Sequence, residues 1–289
     1  MKTYSTVGLA VAGVLSAAGA AFAQEAGVRV EHAAARMVVI PERREDVSVT
    51  VSGGDARLPD LHLHREGDTM VVEGGLERRV AGCGVIGVAW GDGAGRRGER
   101  VMIRGIGPLT VDRLPLITAH VPLDAKVAVS DAVFGSVGAT RSLSLADTGC
   151  GDWTIADVSG AMQVATNGSG DVHAGSAGSV SAAISGSGDL TLRRAGALHV
   201  SVAGSGDVRA ADVEGPVGAQ ISGSGDVRIA DGRSPNLSVR IAGSGDFTYG
   251  GTAGALAAQV AGSGDIRVAH VTGPVSKSVV GSGDVTVGR

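Results

Sequence analysis

The tetrapeptide Gly-Ser-Gly-Asp occurs seven times in this chain, ending at Asp171, Asp189, Asp207, Asp226, Asp246, Asp265 and Asp284. A variant, Gly149-Cys150-Gly151-Asp152, precedes them. Successive aspartates lie 19, 18, 18, 19, 20, 19 and 19 residues apart. A fixed period of this length is the signature of stacked structural units. Glycine makes up 48 of 289 residues, a load that would suggest disorder if it had no period. It does not recur at every third position, which excludes collagen.

Aligned on the aspartate, the next residue is always apolar: Trp153, Val172, Leu190, Val208, Val227, Phe247, Ile266, Val285. The residue after that is Thr, His or Arg, and the one beyond is again apolar or Ala. Five residues ahead of the aspartate stand Ile184, Val202, Ile221, Ile241, Val260 and Val279. This period-two alternation marks strands with one buried face. Each unit reads as strand, tight Gly-Ser-Gly-Asp turn, strand, second turn. Nineteen residues cannot bury their own apolar face, but stacked copies can. The expected fold is all-β: a parallel β-solenoid of about eight coils of ~19 residues. Helical repeats are excluded, because glycine is costly inside helices. With 3 Phe, 2 Trp and 2 Tyr, the core must be thin and aliphatic.

The chain begins MKTYSTVGLAVAGVLSAAGAAFA. Lys2, the apolar Val7–Phe22 stretch and Ala21-Phe22-Ala23 fit a cleaved signal peptide over 1–23, with Gln24 as the mature start. The competing reading is an uncleaved anchor. No other segment is long and apolar enough to span a bilayer as a helix. The expected location is outside the inner membrane, in the periplasm or on the cell surface. Formal charge is −4, or −5 without Lys2, which gives no reason to expect nucleic acid or an anionic membrane as partner. Cys83 and Cys150 are the only cysteines. In an oxidising compartment they can pair. Two buried thiols are the alternative, and spacing does not decide between them.

Repeated Ser/Ala-Gly-Ser-Gly-Asp-Val units behind a signal peptide resemble the head GIN domain family of autotransporter adhesins. Arg57-Leu58-Pro59-Asp60 to Glu73-Gly74 reads like that family's opening strands, and Val121-Pro122-Leu123-Asp124 like the start of its helix. The resemblance implies a single-stranded, right-handed parallel β-helix and brings no catalytic residues.

Residues 24–130 are less regular. Met37–Ile40, Val47–Val51, Leu61–His64, Met70–Glu73, Val101–Ile103 and Ile117–Val121 read as short strands, and 24–130 is placed as an N-terminal β region that caps the solenoid and holds its first coils, with a loop over Gly82–Gly98. The repeat region is placed at 131–289. Its last coil presents a bare strand edge, an expected site of self-association.

The aspartate column (Asp152, Asp171, Asp189, Asp207, Asp226, Asp246, Asp265, Asp284) is the most conspicuous feature. Carboxylates one coil apart would repel by about 1 kcal/mol in a water-like medium. Turn amides, Arg209, Arg228 and Arg267, or a cation could offset this. Calcium-binding solenoids carry their motif twice per coil, whereas here it appears once. His62 and His64 share a strand face, with Asp60 nearby, and are the candidate zinc or copper ligands. Catalysis is disfavoured, because every coil carries the same acid and Trp153, Phe247 and Tyr249 are predicted to point inward. No phosphate loop, dinucleotide fingerprint or nucleophile turn is present, and no cofactor is expected. The outward column mixes Thr with Arg and His, so it forms no ice-binding array. The sequence therefore points to an exported, non-enzymatic envelope β-helix, an adhesin or structural module with a protein or glycan ligand. The alternatives are a carbohydrate-binding or polysaccharide-cleaving β-helix and a calcium-binding solenoid.

Overall fold

The structure, a computed structural model, describes residues 26–85 and 99–288. The signal-peptide reading and most of the Gly82–Gly98 segment lie outside the described residues. Within them there is no α-helix, and the single helical element is a 3₁₀ turn at Val111–Arg113. All other regular structure is β, and most of it forms a parallel solenoid.

The columns aligned in the sequence stack in space. Val172 pairs with Leu190, Leu190 with Val208, Val208 with Val227, Val227 with Phe247, Phe247 with Ile266, and Ile266 with Val285. Ahead of the turn, Leu143, Met162, Val180, Leu198, Val217, Leu237, Leu256 and Val275 form a second column. Every pairing in both columns is parallel, so each coil repeats the side-chain directions of the one before it. The inward residues join one continuous core. Trp153, Phe247 and Tyr249 are fully buried in it. Trp153 fits because its register partner is Gly135, where a Cβ would overlap the indole ring.

The stack extends upstream of the first turn motif. Asp124–Val137 is a full rung beneath Ser142–Gly149 and Trp153–Ile155. Gly27–Glu42 is another, 16 residues long, pairing Val28 with Val127 and Met37 with Gly135. The sequence reading found only Met37–Ile40 of it. A bulge explains the difference: register shifts between Val30 and Ala33, and His32 adopts φ 52°. The bulge flips the alternation, so Val28 and Val30 face inward before it and Ala33, Ala35, Met37 and Val39 after it. Thr69–Glu73 and Leu116–Pro122 also run parallel to this strand. Three of the six strands expected in this region, Met37–Ile40, Met70–Glu73 and Ile117–Val121, therefore belong to parallel rungs. The other three pair antiparallel: Ser48–Ser52 and His62–Glu66 along the solenoid, and Glu99–Ile103 in a separate sheet.

A small three-stranded antiparallel sheet, Val80–Val85, Glu99–Ile103 and Gly107–Thr110, sits beside the first coils. Gly82–Val85, expected in a loop, is thus part of a strand. Leu76, Val101, Ile103 and Leu109 pack with Ala34, Ala132 and Phe134 in a second, smaller core. A Cys83–Cys150 disulfide ties this sheet to the first turn. Replacing both cysteines by Ser is expected to loosen this sheet locally. Hydrogen exchange should accelerate over Val80–Val85, Glu99–Ile103 and Gly107–Thr110 while Val200–Ile266 keep their protection.

At the other end, Val275 and Val279 are each 41% exposed and Val280 is 71% exposed. Lys277 stands in the inward column above Ala258. Its Nζ reaches across the end and donates to the Val285 carbonyl, 2.6 Å away. An inward-pointing charge of this kind discourages another sheet from stacking on the edge.

Candidate functional site

The turn ladder is the most regular polar feature of the molecule. The Asp171 N–H donates to Oδ1 of Asp152, and the same bond recurs up the stack at 2.8–2.9 Å until Asp284 donates to Asp265. Each aspartate therefore fastens the next coil to its own. A carboxylate accepting a backbone N–H makes a charge-assisted bond, stronger than a neutral one. The second oxygen is bridged at two places. Arg209 contacts Oδ2 of both Asp189 and Asp207, and Arg267 does the same for Asp246 and Asp265. Arg228 makes no such bridge. Mutual repulsion of the carboxylates is thus offset by turn amides along the column and by arginine at two levels.

Asp226→Ala removes the acceptor for the half-buried Asp246 N–H and is expected to lower stability by about 1–3 kcal/mol. Asp226→Asn, which keeps an oxygen there, should lose less. Thermal melts of the two variants check this.

The turn requires glycine for two reasons. Gly186, Gly204, Gly223, Gly243, Gly262 and Gly281 adopt φ between 124° and 155°. The second glycine of each turn packs directly on the carbonyl of its equivalent one coil below.

Asp147 is a site that sequence reasoning missed. It occupies the inward column between Val129 and Thr166, where later coils carry Ile or Val. It is 2% exposed, and its Oδ1 accepts the Gly149 N–H at 2.8 Å. Burial, with a smaller contribution from the Asp152 charge, pushes its carboxyl up to about 7. The signal lay in the sequence as a polar break, Asp147 and then Thr166, five residues ahead of the first two turn aspartates.

The two histidines proposed as metal ligands lie on the fully exposed strand His62–Glu66. His62 stands opposite Glu73, and His64 Nε2 is 3.3 Å from Glu66 Oε1. Glu73 is engaged by His32 Nδ1 at 2.9 Å, a bond that raises the His32 pKa. Among the described residues no three His, Cys, Asp or Glu side chains are grouped to hold a metal ion.

The two long faces differ in charge. The face after the turn carries Arg193, Arg209, Arg228 and Arg267, with Asp157 paired to Arg193. The face before the turn is nearly uncharged. It contains a shallow groove of about 520 Å³ whose exposed lining includes Ala161, Gln163, Ser179, Ser181 and His199.

A family profile described as "Putative auto-transporter adhesin, head GIN domain" matches residues 117–232 and again 219–288. The chain belongs to this family. The head GIN match spans the solenoid from the Leu116–Pro122 rung to the last coil. A solved structure of a "Putative lipid binding protein" from Parabacteroides distasonis ATCC 8503 aligns with it at 18% identity. That alignment covers 91% of this chain and 92% of that one, with a TM-score of 0.51, and shows a shared fold. A "putative adhesin" from Bacteroides fragilis NCTC 9343 aligns at 15% identity over 91% and 93% of the two chains, with a TM-score of 0.42. No curated protein matches the chain.

Proposed function

We propose that this head GIN protein is an exported, non-enzymatic module of the cell envelope that works by adhesion, or as a scaffold, through its long side faces. The observation that carries this reading is the use of the repeated acid. The aspartates that could have formed a catalytic or cation-binding row hold the coils together instead. What remains outward is a regular surface repeated once per coil. Such a surface offers many weak, equivalent contacts, which add by multivalency. Family membership supports exposure at the envelope or cell surface. Export rests on the reading of residues 1–23.

The test uses the chain from Gln24, immobilised and exposed to a glycan array and to intact bacterial cells. The Asp226→Ala, Asp246→Ala double variant serves as comparison. Saturable binding retained by the folded variant is the expected result. Release of reducing sugar ends from any glycan would contradict it. So would loss of binding in the variant with its fold intact.

Lipid binding is a second reading. It is favoured by the shallow groove at Ala161, Gln163, Ser181 and His199 and by the name of the Parabacteroides protein. Lipid recovered from the purified chain in stoichiometric amount would favour it over adhesion.

A further inference from the structure

We propose that the uncharged face ahead of the turn is a pairing surface for a second copy of this chain, laid face to face on the first. Eight strands, from Ser142–Gly149 to Val275–Gly281, stack on this side in continuous register. Each coil presents four outward positions on this side, in or next to the strand, in columns that begin at Ser142, Ser144, Ala146 and Thr148. Of these thirty-two positions, twenty are Ala or Ser and only Arg240 carries a formal charge. At the chain's overall 19% charged residues, about six would be expected. None of the thirty-two is buried.

Three physical consequences point to a second copy as the occupant. Ala loses no rotamer freedom on burial, and Ser has one short rotor, so ordering this face costs little. The backbone beneath it is already paired within the sheet, so covering it strands no amide. Seven residues of strand and eight coils give a patch of about 23 by 38 Å, or about 900 Å² per copy. That is close to the ~800 Å² per partner of a standard stable interface. A copy brings the same neutral surface, and a two-fold axis through the middle of the face closes the contact as a dimer. A charged partner would find only Arg240. The strand edge at the last coil, the site expected from the sequence, is a poorer surface because Lys277 lies across it.

The experiment is sedimentation velocity on the chain from Gln24, from micromolar to millimolar concentration. Two variants place charge near the centre of the face, Ser201→Glu with Gln220→Glu and, separately, Ser201→Lys. Ala211→Glu on the charged side and Lys277→Glu at the end serve as controls. Circular dichroism melts establish that each variant is folded. The expected result is a concentration-dependent dimer in the wild type. It should weaken at least tenfold in both face variants and stay unchanged in both controls. A monomer at every concentration would overturn the proposal, as would a dimer lost only in Lys277→Glu. A monomer whose organic extract contains bound lipid would also overturn it and assign the face to lipid. Adhesion through other faces would survive any of these failures, so the two readings fail separately.

Discussion

Gly225→Ala is expected to destabilise the middle of the solenoid by about 4 kcal/mol or more, at the upper end for a single substitution. A Cβ at this position would overlap the Gly206 carbonyl oxygen and press on Val202 Cγ1 at 3.0 Å. Neither atom can move cheaply. The oxygen belongs to the backbone of the coil below, and Val202 fills the core. Relief would require this coil to lift off the one below, which breaks the Asp226-to-Asp207 bond beside it. Gly84→Ala is the natural control, because no atom lies within 4 Å of its Cβ position. It should change stability by less than about 0.5 kcal/mol. Thermal melting and limited proteolysis of the two variants check the contrast. A Gly225→Ala protein that melts with the wild type would mean the coils are not in direct backbone contact.

Asp147 should make the protein less stable as pH rises from about 4 to 7. Its carboxyl is held near 7 when folded and near the ordinary value of 3.8 when unfolded. Between these values the folded chain binds the extra proton, so folding is favoured at the acid end and the advantage fades toward neutral pH. Three pH units correspond to about 4 kcal/mol at most. Asp147→Asn keeps an acceptor for the Gly149 N–H and removes the charge. Asp147→Val restores the aliphatic column of the later coils. Both should lack this slope and be more stable than the wild type at pH 8, by about 2–4 kcal/mol. His32, with its raised pKa, changes stability in the same direction but is common to all three proteins. The difference between wild type and variant therefore isolates Asp147. Urea titrations at pH 5 and pH 8 measure it. Equal differences at both pH values would place the carboxyl in water.

The repeat was legible because one rule acts eight times. Each Asp, each flanking Gly and each inward Val or Ile is required by the coil beneath it, so the columns can be read from spacing alone. Where that rule is interrupted, spacing fails. The bulge at His32 reverses which residues of Gly27–Glu42 face inward, so two short out-of-phase runs hide one long strand. Asp131, with φ 69°, marks a similar irregularity in Asp124–Val137. The three-stranded sheet packs through Leu76, Val101 and Leu109, contacts distant in sequence that no local period announces. Of the candidate site, the Asp column and the mixed Thr/Arg/His column were readable. The neutral character of the opposite face becomes visible only when the strands are stacked and their outward positions counted together.

Equivalent residues lie one coil apart along a single axis, fastened by their aspartates. Spin-label distances measure this stacking. Nitroxides are placed pairwise on the outward column at Thr154, Thr248 and Thr286. Thr248 lies five coils from Thr154, and Thr286 lies seven. At about 4.8 Å per coil, the two distances should be near 24 and 34 Å and should differ by about 10 Å. Distances that do not grow in proportion to the number of coils would contradict the stack.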